Sequence, residues 1–233
     1  MFRPAVRSAG LRLLAWSGHG ELIELGEPVT RVLRDEAELR DLVREPHRLV
    51  AEKHIDHIDP ESRRFIEASP FFLLATSDAE GNCDVSPRGD PAGSVLVLDE
   101  YTLAFADRKG NRRLDNLRNI LAQPRVGLLF VVPGIGDTLR VNGTAQVVAE
   151  APYLPRMAVE GVVPVLAVEV RVRELFSHCS KAFLRSKLWD PASWPERGDV
   201  PTAGQLARSQ SGTRIPARML DAALRAEAKH NQY

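Results

Sequence analysis

Tyr101-Thr-Leu-Ala-Phe-Ala-Asp-Arg-Lys-Gly-Asn-Arg-Arg-Leu-Asp-Asn-Leu-Arg-Asn119 is the stretch on which the reading of the chain turns. Tyr101 to Phe105 has the aromatic and β-branched content of a short strand. Leu114, Leu117 and Leu121 then recur at helical spacing, so the intervening basic cluster lies where a strand gives way to a helix. The first turn of a helix leaves backbone N–H groups without partners and carries the positive end of the macrodipole. Gly110 lets the backbone come close to a ligand, and Arg108, Lys109, Arg112 and Arg113 add side-chain charge. Five basic residues face two acidic ones between Asp107 and Asn119, in a chain whose formal net charge is zero. So local a surplus points to an anion site with phosphate as the ligand class; the plainer alternative is a solvated charged turn.

Strand signals flank this junction on both sides. Phe71–Ser77 is an apolar run, Asp78–Asn82 has the composition of a hairpin loop, and Cys83–Arg88 alternates as a return strand. Ser94–Leu98 and Thr102–Ala106 are short strands, and the helix after the basic cluster runs to about Ala122, ahead of Pro124. Val126–Val132 and Thr138–Val148 form a second hairpin around Pro133–Asp137, and Val165–Val172 is a last strand. Six or seven strands with one helix between the fourth and fifth, and no regular βα alternation, exclude a doubly wound sheet. They favour a mainly β fold, an antiparallel barrel with flanking helices.

Helix signals surround the barrel. Asp-x-x-Glu from Asp35 opens a short helix closed by Pro46, and Asp59-Pro60-Glu61 caps another that ends at Ser69-Pro70. Residues 150–161 read as a loop or brief helix. His178–Trp189 has helical spacing and carries Lys181, Arg185 and Lys187 as a second basic surface; the tail is polar and proline-spotted until a final helix after Pro216. The expected organisation is an N-terminal extension over 1–58, a barrel domain over 59–189 and a C-terminal tail over 190–233.

Composition removes several classes. A pI near 7.0 lacks the broad basic excess of a nucleic-acid or membrane-surface protein, and no apolar run reaches the roughly 18 residues of a membrane span. Cys83 and Cys179 are too few for a disulfide framework or a paired-cysteine zinc site, which fits a reducing cytoplasm. Arg3, Arg7 and Arg12 faintly resemble a targeting peptide, but Arg12 breaks the apolar patch, and a loosely docked N-terminus is the plainer expectation. His54 and His57 have metal-ligand spacing without evident third and fourth ligands, so no metal is expected. No Ser/His/Asp or Cys/His constellation stands at recognisable spacing. Arginine outnumbers lysine 26 to 5, a bias that hints at a GC-rich bacterial genome.

The order of the hairpin Phe71–Arg88, strands Ser94–Ala106, basic helix, Pro124-Arg-Val-Gly-Leu-Leu-Phe130 and Arg140-Val-Asn-Gly-Thr-Ala145 resembles the pyridoxamine 5'-phosphate oxidase-like, FMN-binding split-barrel family over roughly residues 60 to 190. The resemblance implies a homodimer of six- to seven-stranded Greek-key split barrels with flavins in grooves at the interface. It implies a phosphate grip from Ser86 and Arg88 at the end of one strand and from Lys109, Asn111, Arg112 and Arg113 after another. The second chain would complete the groove, with Lys181 and Arg185 as its contribution. The activity it implies is FMN-dependent hydride or electron transfer on a small molecule that the sequence does not name. Deazaflavin is an alternative cofactor, since it too carries a phosphate on a ribityl chain, and a non-catalytic flavin- or haem-binding module is the alternative role. The spacing from Lys109 to Pro124 is longer than the family's usual one, which leaves open which cation meets phosphate. The substrate-binding residues of true pyridoxamine phosphate oxidases find no match near the C-terminus.

Overall fold

The computed structural model describes residues 30–233 and, before them, the backbone of two short strands. The chain divides into two compact units, residues 1–51 and 52–233. In the first, β1 (Leu13–Trp16) pairs antiparallel with β2 (Leu22–Leu25). Helix α1 (Glu36–Leu42) follows, capped by Asp35, whose side chain accepts from the Glu38 N–H at 2.9 Å, and then α2 (Arg48–Ala51). The expectation of a targeting peptide or loosely docked N-terminus falls on residues outside those described.

The second unit opens with α3 (Pro60–Ala68). Its cap is the expected one: Asp59 accepts from the Glu61 and Ser62 N–H groups at 2.8 and 3.0 Å, with Pro60 in the first turn. Seven strands follow: β3 (Phe71–Ser77), β4 (Cys83–Gly89), β5 (Leu96–Val97), β6 (Thr102–Asp107), β7 (Arg125–Val131), β8 (Thr138–Val148) and β9 (Leu166–His178). They form one antiparallel sheet in the order β4-β3-β7-β8-β9-β6-β5. Phe72 on β3 meets Phe105 on β6 edge to face at 5.0 Å, although three strands lie between them in the sheet. That contact requires the sheet to curl on itself. Inside it Leu74, Leu103, Leu128, Phe130, Val141, Val168 and Val170 are almost wholly buried, with Ile66 of α3 closing one side.

The predicted strand positions match closely, and the departures have local causes. The expected strand Ser94–Leu98 keeps ladder pairing only at Leu96 and Val97. The last strand runs on to His178, because β8 is long enough to pair with it through a bulge at Asn142/Gly143. β6 does not alternate: Leu103 and Phe105 enter the barrel, while Ala104 and Ala106 pack outward under a 3₁₀ turn at Leu154–Met157. That turn is the segment the sequence left unplaced. Helix α4 (Asp115–Ala122) stands between β6 and β7 where the leucine spacing places it; its buried face is Asn116, Leu117 and Ile120, and Leu114 and Leu121 are exposed. Helix α5 (Lys181–Ser186) occupies part of the expected basic helix.

Two helices fill the tail, where one was expected. α6 (Ala203–Ser211) opens on a capping box between Thr202 and Gln205, and α7 (Ala217–His230) packs back on it. A Cβ at Gly204 would stand 2.3 Å from the Ala217 carbonyl oxygen, so glycine sets this close approach. In the stretch holding His54 and His57, Ile55 bridges to Leu175, and His57 Nδ1 lies 3.1 Å from the Asp56 carboxylate. Among the described residues no group of three His, Cys, Asp or Glu is placed to hold a metal, and no helix is long and apolar enough to cross a membrane.

The bulge gives a direct test of the barrel. A Cβ on Gly143 would lie 2.3 Å from the Arg171 carbonyl oxygen and 3.0 Å from Val170 Cγ1. Gly143→Ala is expected to destabilise the fold by about 1–3 kcal/mol, the scale of overpacking in a well-filled interior, read as a lower denaturation midpoint at unchanged slope.

Candidate functional site

A groove of about 1240 Å³ opens where β4 and β6 end, the loop 108–114 crosses and α4 begins. Its floor is set by strand alternation. Asp84, Ser86 and Arg88 are two residues apart on β4 and share one face, which α4 covers. Asn116 of α4, only 4% exposed, enters that face and joins four side chains. Its Oδ1 accepts from the Ser86 hydroxyl and, at 3.0 Å, from Arg88 Nη2. Its Nδ2 donates to Thr76 Oγ1 at 2.9 Å and to Asp84 Oδ2 at 3.2 Å. Arginine can only donate, so the guanidinium settles which end of the amide faces it.

The cations of the cluster fall into distinct roles. Arg108 is largely buried and committed: Nε donates to Asp90 at 2.7 Å, with the two side chains 13% and 15% exposed, and Nη2 donates to the Met157 carbonyl at 2.8 Å. It anchors the loop to the barrel and to the 3₁₀ turn. Arg113 is exposed and paired with Asp115 at 2.7 Å, an interaction that holds its proton more firmly. Asn111 shapes the turn, its Oδ1 accepting from the Arg113 N–H at 3.0 Å, which leaves its amide nitrogen to donate elsewhere. Lys109 reaches the main-chain oxygen of Tyr233 at 2.7 Å. Arg112 and Leu114 hold φ near +60°, an uncommon conformation for non-glycine residues, and Leu114 gives α4 no side-chain cap. The first-turn N–H groups of α4 therefore border the groove without a capping oxygen from that position.

Arg88 is the electrostatic centre. Burial works against its charge and lowers its pKa, with Asp107 and Asp84 opposing that effect; Nε is buried and has no hydrogen-bond partner. Asp107, at the end of β6, is shifted the other way: burial raises its pKa, and Arg88 only partly offsets this. A half-buried guanidinium whose charge is only partly compensated suits an incoming oxyanion.

Six of the eight residues expected from the sequence, Ser86, Arg88, Lys109, Asn111, Arg112 and Arg113, line this one groove. Lys181 and Arg185 stand on α5 and do not line it within the same chain. Sequence reasoning missed Asn116 and Asp107. Asn116 did leave a signal, a polar residue beside Leu117 and four before Ile120 on the apolar face of a short helix. Asp107 left none, because its burial depends on strands distant in sequence.

The family model described as pyridoxamine 5'-phosphate oxidase matches residues 58–179, just over half of the chain. The chain belongs to this family. The matched span holds the whole sheet and all six groove residues predicted from the sequence. No curated protein matches the chain. Among solved structures, this family member is similar to HupZ of Group A Streptococcus, at 21% identity and TM-score 0.43 over 52% of this chain and 93% of that one. It is also similar to a pyridoxamine 5'-phosphate oxidase homologue of Lactobacillus delbrueckii, at 25% identity and TM-score 0.40 over 52% and 95% of the two chains. A third is HutZ, the haem storage protein of Vibrio cholerae, at 16% identity and TM-score 0.35 over 51% and 93%.

Two outcomes test the site's internal wiring. Asn116→Ala removes the amide partner of Ser86, Arg88 and Asp84, leaving Thr76 only its bond from Asn119, and is expected to cost about 1–3 kcal/mol of stability, measured by denaturant unfolding. Asp107 binds its proton more tightly folded than unfolded. Its stabilising contribution is therefore complete below its unfolded pKa and is lost as pH rises through the raised folded value. Asp107→Asn is expected to melt above the unsubstituted chain at neutral pH, and the gap should close as pH falls toward about 4.

Proposed function

We propose that this family member is a flavin-dependent oxidoreductase that holds the phosphate of FMN in the groove between β4, the 108–114 loop and α4. The observation that carries the reading is Arg88, a half-buried guanidinium whose buried Nε lacks a partner although Asp107, Asp84 and Asn116 surround it. A phosphate that reaches the open edge of this guanidinium adds to the countercharge of Asp107 and Asp84, which only partly offsets the penalty of burial. Lys109 and Arg112 add charge from the loop, Asn111 Nδ2 and the uncapped first turn of α4 add hydrogen-bond donors, and Arg113 stands at the rim with Asp115. Ser86 takes part through Asn116, whose amide holds Arg88 in place.

Hydride or electron transfer is the chemistry that the isoalloxazine ring supplies when bound. The work of these residues is to bind, orient and neutralise. In this reading the protein is a homodimer, and Lys181 and Arg185 of α5 approach the groove of the second protomer, consistent with their position away from the groove of their own. Deazaflavin carries the same phosphate on the same kind of chain, so a groove that recognises phosphate accommodates either.

The reading is tested by an absorbance scan of the purified protein and mass spectrometry of what heat releases. Bands near about 370 and 450 nm with a released mass of FMN support it, and a single band near about 420 nm with a deazaflavin mass shifts the cofactor. A colourless protein that binds neither on addition defeats it. Arg88→Ala is expected to weaken FMN retention by about 1.5–3 kcal/mol, the scale of a charge-assisted hydrogen bond. Lys109→Ala should fall in the same range, and unchanged affinity in both variants removes the phosphate site.

A further inference from the structure

Part of the groove is occupied by the chain itself. Beyond α7, residues 231–233 line it together with Glu227, and the main-chain oxygen of Tyr233 accepts a hydrogen bond from Lys109 Nζ at 2.7 Å. The Tyr233 ring lies against the Arg108 guanidinium, 5.5 Å from its centroid. Arg108 is already fixed by Asp90 and the Met157 carbonyl, so the ring rests on a rigid cationic platform. What this segment offers the cations stands where an anion's oxygen would: a main-chain acceptor on Lys109, with the acidic Glu227 in the same wall.

We infer that residues 231–233 form an autoinhibitory strap, which competes for Lys109 with the oxyanion of an incoming ligand and must leave before that ligand seats. The identity of the ligand as a flavin phosphate rests on the function proposed above; the strap does not. Its attachment suits a reversible contact. Asn231 and Gln232 are exposed and Tyr233 is only half-buried, so release uncovers little apolar surface. The α6–α7 hairpin is held by its own bonds, with Asp221 accepting from the Gly204 N–H at 2.7 Å and the Thr202 hydroxyl at 2.8 Å. It therefore keeps its form when the strap departs.

The test is a comparison of the full chain with one ending at His230, which leaves every helix whole. The shortened chain is expected to bind FMN about tenfold tighter, the equivalent of one charge-assisted hydrogen bond no longer displaced, with the gain in the association rate. Tyr233→Ala, which removes the ring and keeps the main chain, should fall between the two. Saturating FMN should speed amide exchange over residues 227–233 of the full chain. Equal or weaker binding by the shortened chain overturns the strap while leaving the flavin reading intact. If neither chain binds FMN, the flavin reading fails and the comparison is repeated with inorganic pyrophosphate. Tighter pyrophosphate binding by the shortened chain then supports the strap, and equal, weaker or no binding overturns it.

Discussion

The buried amide of Asn116 is the constraint on which the groove depends. It is a single side chain that links α4 to two adjacent strands, through Thr76 on β3 and through Asp84, Ser86 and Arg88 on β4. Asn119 strengthens the same seam, donating to Thr76 Oγ1 at 3.0 Å. A buried polar network is favourable only when its members are matched, and here an amide with both donor and acceptor ends is what a strand bearing a carboxylate, a hydroxyl and a guanidinium requires. The start of α4 is thereby fixed at the end of β4, and the loop 108–114 has a defined span to cross. Without that seam the loop would be held only at its Arg108 end.

Charge is distributed along that loop by the same logic. A chain with formal net charge zero assembles a cationic groove by placing acids against some of its cations and not others. Asp90 takes up Arg108 in a well-shielded pair whose geometry joins the loop to the barrel, and such a pair contributes position more than stability. Asp115 takes up Arg113 in the open, where the pairing is worth little. Arg88 keeps a guanidinium nitrogen without a partner in a setting that penalises its charge. The number of basic residues in the cluster thus overstates the ligand-facing charge; burial and partners sort them.

The strand order and the basic junction were legible because both rest on local chemistry. β3 and β8 fall on the bounds that apolar runs and turn residues predict, and Asp59-Pro60 caps α3 as its composition says. Where the reading erred, a contact between distant segments decides the outcome. The inward face of α4 is set by where β3 and β4 need an amide, so Leu121 is left 76% exposed and Asn116 is buried in spite of their hydropathy. α6 escaped notice because its stability comes from a capping box and from the close approach to α7 that Gly204 permits, not from an apolar stripe. The roles of Lys109 and Asp107 were hidden for the same reason: one meets a residue 124 positions away, the other owes its raised pKa to burial at the end of a strand.

These long-range contacts meet at one place. β6 is buried on both faces, inward through Leu103 and Phe105 and outward through Ala104 and Ala106 beneath the 3₁₀ turn. A strand held on both sides makes its own end a fixed point, and that end is Asp107, directly before the loop. Arg108 extends the fixed point by one residue, since it bonds to the Met157 carbonyl of the turn that covers β6. The loop is therefore rigid where it leaves the sheet and again where Asn116 seats α4. Between these anchors Lys109 to Leu114 carry both left-handed non-glycine residues of the loop. Strain of that kind persists where the surroundings over-determine the backbone, and two buried anchors seven or more residues apart in sequence, one ionic and one amide, are what over-determines it here.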